Sequence, residues 1–281
     1  MHVLQLNHSD VLNILPDRQN ESHKGNYGRV LLLCGSRGYT GAAALAAIGA
    51  LRCGAGLVYL GVPESIYQIE AGKLLEPIVM PFPDVDGHFS VSSVAEICKL
   101  LPKMDAVLIG PGIGETVETK TVVEAVLSNY EGTVVVDADG INVLSANIDA
   151  LRGRNYPTIL TPHSGEFVRL GGKLDDRCKG AELMAKDLQV IVVLKGHNTV
   201  VTDGENTYIN TTGNPGMAVG GSGDVLAGMI TALIGQKIAP IKAAACGVWL
   251  HGAAGDLCAE AMGQYAMLPS DLLEFLPRLL K

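Results

Sequence analysis

Thr158-Ile159-Leu160-Thr161, the helical stretches Ser164–Leu170 and Arg177–Leu188, and Val190-Ile191-Val192-Val193-Leu194-Lys195 follow one another with only short connections. Two short β-branched apolar runs around segments of helical periodicity form a βαβ unit, and such a unit calls for parallel strands. The alternation extends outward in both directions. Val30–Cys34, Leu57–Val62, Ala106–Ile109 and Thr133–Asp137 read as further strands. Ala42–Cys53, Val91–Leu101, Val117–Tyr130, Asp224–Ile234, Ile241–Ala261 and Leu272–Leu280 read as helices. Between Thr199 and Asn210 the period changes: Thr199–Thr202, Asp203-Gly204 and Thr207–Asn210 read as a β-hairpin, because Asp-Gly supplies the positive φ of a tight turn. The expected architecture is α/β, with a mainly parallel central sheet, helices on both faces and an antiparallel hairpin at one edge.

No linker composition and no internal repeat divides the 281 residues, so 1–281 reads as one domain. With 48% hydrophobic residues, 34 glycines and 18% charged residues, the chain has the composition of a compact protein with many tight turns. A net charge of −8 without a basic run excludes the electrostatic footprint of a nucleic-acid binder. Anionic ligands must then be held locally, by helix N-termini, glycine-rich backbone and single lysines. Six scattered cysteines, none in a Cys-x-x-Cys pair, read as buried free thiols. Met1–His8 has no basic region followed by an apolar run, so the expectation is a cytoplasmic protein without a secretory signal. The apolar stretch Gly41–Gly61 carries Arg52 and several glycines, and reads as a core helix and strand instead of a membrane span.

In an open α/β sheet, ligands bind beyond the carboxyl ends of the strands, so the segments after each strand are where chemistry is sought. Gly220-Gly221-Ser222-Gly223-Asp224 precedes an apolar helix. Its glycines let backbone N–H groups turn inward as an anion nest, to which the helix dipole adds. Asp224 alone would read as a helix cap. Beside a bound phosphate it is placed as a general base for a hydroxyl attacking that phosphate. Lys195-Gly196 ends a strand at the edge where a nucleotide phosphate or ribose would lie. Thr161-Pro162-His163-Ser164-Gly165-Glu166 ends another and gathers polar groups suited to substrate contact. Gly110-Pro111-Gly112-Ile113-Gly114 permits close backbone approach to a ligand. Asp137-Ala138-Asp139 offers two carboxylates that would hold Mg²⁺ through water, face the substrate, or simply lie solvated in a turn. Neither Gly-x-Gly-x-x-Gly nor a Gly-x-x-x-x-Gly-Lys-Ser/Thr loop occurs, which weighs against a Rossmann dehydrogenase and a P-loop enzyme.

Taken together, Ser22-His23-Lys24-Gly25, Gly35-Ser36 with Gly41-Ala42-Ala43, Gly110–Gly114, Asp137–Asp139, Thr161–Glu166, Leu194-Lys195-Gly196 and Gly220–Asp224 resemble the ribokinase-like superfamily. Within it they resemble the ADP/ATP-dependent NAD(P)H-hydrate dehydratases, over nearly the whole chain. The resemblance implies a three-layer fold, ADP or ATP as co-substrate, Mg²⁺ as cofactor, and a hydrated nicotinamide nucleotide as substrate. Its ring hydroxyl would be phosphorylated and the phosphate eliminated. It also implies that Lys195, Gly196, His197, Asn198, Thr199 and Gly223 contact the nucleotide, together with the nest Gly220, Gly221 and Ser222. Ala42, Gly112, Gly114, His163 and Asp224 would line the hydrate pocket, with Asp224 as base, and Asp137 would be the metal contact. The resemblance further implies a stand-alone bacterial form and a homotetramer. Ser164 departs from the family's second proline in Thr-Pro-His-Pro-Gly-Glu. A small-molecule kinase of the same superfamily would share the fold, the nest and Asp224. A non-catalytic adenine-nucleotide sensor would have no need of that base.

Overall fold

A computed structural model describes residues 3–281. Met1 and His2, where the reading of a leaderless N-terminus begins, lie outside the described residues. In chain order the strands are β1 (Val3–Leu4), β2 (Arg29–Leu33), β3 (Leu57–Pro63), β4 (Ile78–Phe82), β5 (Asp84–Val85), β6 (His88–Phe89), β7 (Ala106–Ile109), β8 (Thr133–Val136), β9 (Thr158–Leu160), β10 (Ile191–Leu194), β11 (Thr199–Thr202) and β12 (Thr207–Asn210). The helices are α1 (His8–Ile14), α2 (Thr40–Arg52), α3 (Glu64–Lys73), α4 (Val94–Leu100), α5 (Val117–Asn129), α6 (Asp139–Leu144), α7 (Ser164–Arg169), α8 (Arg177–Leu188), α9 (Ser222–Gly235), α10 (Pro240–Met262) and α11 (Pro269–Phe275).

One sheet runs in the order β1-β12-β11-β10-β9-β8-β7-β2-β3-β4. From β10 to β4 every pair is parallel, while β10–β11 and β11–β12 are antiparallel. Between β2 and β7 the strand order reverses direction: β2, β3 and β4 step one way, and β7 to β10 the other. A crevice opens at such a switch point, above the carboxyl ends of the strands.

Successive strand residues face opposite sides, and both sides are buried. Val30, Leu32, Ala106, Leu108, Val135, Ile159, Ile191 and Val193 pack with α2, α9 and α10. Their neighbours Leu31, Leu33, Val107, Ile109, Val134, Val136, Leu160, Val192 and Leu194 pack with α4, α5 and α8. The result is the three-layer arrangement expected. The closest helix pair is α2 with α9. A methyl at Gly228 would collide with Ala46 O, and one at Gly49 would meet Val225 O at 2.7 Å. This contact carries the start of α9 over the switch point.

Several boundaries differ from the expectation for local reasons. Pro277 ends α11 at Phe275, so Leu276–Arg278 is a 3₁₀ turn and the expected helix to Leu280 is cut short. Val91–Leu101 begins as a 3₁₀ turn, Val91–Ser93, before α4. The hairpin connection spans residues 203–206, since Thr202 pairs with Thr207 and Asp203 Oδ1 accepts the N–H groups of Glu205 and Asn206. It is not the outermost pair, because β1 adds in parallel beyond β12. A second hairpin, β5–β6, stands apart from the main sheet. Of the six cysteines, Cys98 and Cys178 are only half-buried, and all six are free thiols. Among the described residues no helix is long and apolar enough to cross a membrane.

Candidate active site

α9 starts at Ser222, with Gly221 at φ +100° as its N-cap and no side chain capping the first turn. The expected helix start at Asp224 is therefore corrected: Asp224 is the third helical residue, not the cap, and its carboxyl belongs to the crevice. Uncapped first-turn N–H groups and a positive-φ glycine form the donor-lined concavity that binds anions. Gly220 has open space around its Cα. A side chain at Gly223 would come within 3.2 Å of Lys195 Nζ. The Lys195 ammonium thus lies against the first turn of α9.

That ammonium belongs to a charge cluster built by three neighbouring strand ends. Asp137, after β8, is 1% exposed, and its Oδ1 accepts from Lys195 Nζ at 2.7 Å and from the Thr161 hydroxyl at 2.7 Å. Lys195 follows β10 and Thr161 follows β9. Burial alone would lower the Lys195 value, but the Asp137, Glu166 and Asp224 carboxylates outweigh it and hold the ammonium above its ordinary range. Burial raises Glu166, and Lys195 opposes that rise. Burial, reinforced by Asp137, lifts Asp224 from 3.8 to about 7. A carboxyl poised near neutrality in a crevice is suited to accept and return a proton. Cys34, at the end of β2, is fully buried. Burial, then Asp224 and Asp137, keeps its thiol neutral.

The glycine loop after β7 forms the opposite wall. Side chains at Gly112 would meet Tyr39 Cβ at 2.9 Å and Ala42 Cβ at 3.0 Å, so Ala42 and Gly112 are brought together. Ala42 lies in the first turn of α2, which starts at Thr40. Gly114 is covered by the His88 ring, whose Nδ1 donates to Ile113 O at 2.9 Å. Its N–H donates to Asp139 Oδ2 at 2.8 Å. His163 caps α7: its Nδ1 accepts from Gly165 and Glu166 N–H, and Nε2 lies 3.5 Å from Glu166 Oε1. It thereby joins the cluster through Glu166, with its ring edge exposed.

Other sequence expectations are redistributed. Asp137 and Asp139 serve different partners, a lysine and a backbone amide. Among the described residues no three His, Cys, Asp or Glu side chains gather as a metal site. Asp137 Oδ1 is taken by Lys195 and Thr161, so the expected contact to Mg²⁺ through water would fall to its second oxygen. His197 and Asn198 are exposed in the turn between β10 and β11, with Asn198 at φ +56°. The Thr199 hydroxyl donates to Gly196 O at 2.9 Å, closing that turn. The sequence reading missed Arg177, whose guanidinium donates to Leu194 O, Lys195 O and Ser164 Oγ. The βαβ order was the available signal, because α8 must begin at the carboxyl edge where β9 ends. Ser222 Oγ faces buried His251 Nε2 at 3.3 Å, another contact the sequence did not announce.

The switch-point crevice thus holds an uncapped helix start, a half-buried lysine and a neutral-range carboxyl. A family model described as NAD(P)H-hydrate dehydratase matches residues 30–278. The chain belongs to the NAD(P)H-hydrate dehydratase family. It is 44% identical over 275 residues to a bifunctional NAD(P)H-hydrate repair enzyme Nnr of Moorella thermoacetica, covering 95% of this chain and 52% of that protein. The chain thus spans about half the length of the curated relatives it matches. A Bacillus subtilis ADP/ATP-dependent NAD(P)H-hydrate dehydratase, co-crystallized with ATP/Mg²⁺, superposes with a TM-score of 0.84 at 33% identity, covering 99% of this chain and 98% of that one. A ribokinase-like superfamily protein of Enterococcus faecalis superposes with a TM-score of 0.87 at 27% identity, covering 98% and 94%. The dehydratase family fold accordingly accounts for the whole sheet and its flanking helices.

Proposed function

We propose that this chain restores hydrated NADH and NADPH by dehydration, consuming ADP or ATP, as a hydro-lyase of nicotinamide nucleotide repair. The observation that carries the reading is Asp224, a half-buried carboxyl lifted to about 7 in the first turn of α9, beside an uncapped anion nest. Hydroxide is a poor leaving group, whereas phosphate is a good one. Asp224 takes the proton of the hydrate's ring hydroxyl as that oxygen attacks the terminal phosphoryl group of the nucleotide. The Gly220–Gly223 amides and Lys195 hold the negative charge that spreads over the transferred group. Phosphate then leaves C6 of the ring with its bonding electrons, the adjacent C5 gives up a proton to a base in the crevice, and the C5–C6 double bond re-forms.

In this reading Lys195–Thr199 and Gly220–Gly223 hold the nucleotide, and Ala42, Gly112, Gly114 and His163 line the hydrate pocket. Family membership and the grouping of these segments at one sheet edge support it. Mg²⁺ would arrive on the nucleotide phosphates, not in a protein cage. The reading includes a homotetramer, for which exposed Ile69, Leu75 and Ile78 around α3 and β4 offer apolar surface. Incubation with hydrated NADH, Mg²⁺ and ADP or ATP, followed at the reduced-nicotinamide absorbance band, tests the activity. Failure to recover absorbance with either nucleotide overturns it.

A further inference from the structure

The turn Gly220–Gly223 is delivered by residues 211–221, a connection whose only regular element is the 3₁₀ turn Pro215–Met217. The hydrogen bonds that leave this connection and cross to another helix end on α10. Thr212 Oγ1 donates to Trp249 O at 3.0 Å. Gly213 N–H donates to Asp256 Oδ2 at 2.8 Å, and Asn214 Nδ2 donates to Asp256 Oδ1 at 3.0 Å. Trp249, Gly252 and Asp256 recur at helical spacing on one face of α10. A methyl on Gly252 would collide with Thr212, so that face lies directly against the connection.

Asn214 has one orientation available. Its Oδ1 accepts Gly216 N–H at 3.0 Å, which leaves Nδ2 to meet position 256. Position 256 must therefore accept twice, from Gly213 N–H and from the Asn214 amide. A carboxylate does this with its two oxygens. A carboxamide of the same shape always presents an NH₂ to one of the two donors.

We infer that Asp256 is a positioning residue for the phosphate-binding turn. It locks residues 213–216 onto α10, so that Gly220–Gly223 and Asp224 are held facing the crevice before the nucleotide arrives. The inference rests on the proposed reading of that turn as the nucleotide phosphate site. It touches neither nucleotide nor hydrate, and its contribution is pre-organisation.

The test compares the full chain with Asp256→Asn and with the double variant Asn214→Asp, Asp256→Asn. The single variant sets donor against donor. In the double variant the polarity of the pair is reversed, all three hydrogen bonds re-form, and formal charge is unchanged. Amide hydrogen exchange over 211–222 should quicken in Asp256→Asn and return to the wild-type rate in the double variant. ADP affinity, read by calorimetry, should weaken on the order of tenfold and recover in step, the size expected for losing one charge-assisted bond. Asn214→Ala breaks the same link from the other side and should quicken exchange likewise.

Exchange that stays unchanged in both Asp256→Asn and Asn214→Ala overturns the clamp. Faster exchange without weaker ADP binding overturns its positioning role. Wild-type protein that binds no ADP overturns the nucleotide reading itself, a result distinct from wild-type binding that the variants leave untouched.

Discussion

Lys195 and Asp137, 58 residues apart in sequence, form a 2.7 Å ion pair in which the carboxylate is almost wholly withdrawn from water. Removing the cation would leave Asp137 with the Thr161 hydroxyl as its remaining donor. An uncompensated buried charge costs about 3 kcal/mol or more. Lys195→Met should lower unfolding stability by that amount in urea titrations. A loss below about 1 kcal/mol would mean that water reaches the carboxylate.

Asp224→Asn separates binding from turnover. The amide keeps the shape of the side chain and leaves the nest in place, so ADP should bind with near wild-type affinity. Turnover should fall by about 10²–10⁴-fold, the range for loss of a general base. In the wild type, kcat/KM should rise with pH and reach half its plateau near pH 7, because the base acts only when ionised. A flat profile between pH 6 and 8 would assign the proton transfer to another group.

The same shift acts on stability in a definite direction. The folded-state value of Asp224 lies above its ordinary 3.8, so folding takes up a proton. Its contribution is fully present below pH 3.8 and is lost as pH rises through about 7. Asp224→Asn should therefore be more stable than wild type at pH 8, by about 4 kcal/mol before solvent screening of this half-buried group, and the gap should close near pH 4. Chemical denaturation at the two pH values reads this directly.

His251 acts with the opposite sign. Burial first, and Lys195 in addition, push its imidazole from 6.5 down to about 4. Folding expels its proton, so its contribution is full above pH 6.5 and is lost as pH falls through about 4. His251→Gln removes that titration and retains a polar partner for Ser222. The wild type should lose about 3 kcal/mol more than the variant between pH 7 and pH 4. Parallel stability curves would show the imidazole to be hydrated.

Gly228→Ala tests how the site is placed. In an exposed helix this change gains about 1 kcal/mol. Here the added methyl collides with Ala46 O, so α2 and α9 must separate. The expected outcome is destabilisation by about 2 kcal/mol in chemical denaturation, together with reduced turnover, since Ala42 and Asp224 stand on the two helices being forced apart.

The parallel core was legible because β2, β7, β8 and β10 are buried on both faces and so read as unbroken apolar runs. β4 escaped because Pro81 and an exposed edge interrupt its pattern. α3 escaped because its sequence, ESIYQIEAGK, has no apolar stripe sustained over several turns. The strand-end motifs led to the crevice through topology alone. The roles of Arg177, His251 and Asp256 did not surface, since each depends on a partner distant in sequence. Nor did the sequence show that Lys195, expected at the nucleotide, and Asp137, expected near a metal, pair with each other. No local rule connects the ends of β8 and β10, which are separated by β9.

Ala138 lies between Asp137 and Asp139 at φ 49°, ψ −122°, a conformation that costs a non-glycine residue on the order of 1–3 kcal/mol. This one strained link aims its two neighbours at opposite shores of the crevice, one at the Lys195 ammonium and the other at the Gly114 amide. The glycine loop and the lysine are thus fastened to the same three residues of chain, so a glycine at 138 would free the angle between the two anchors.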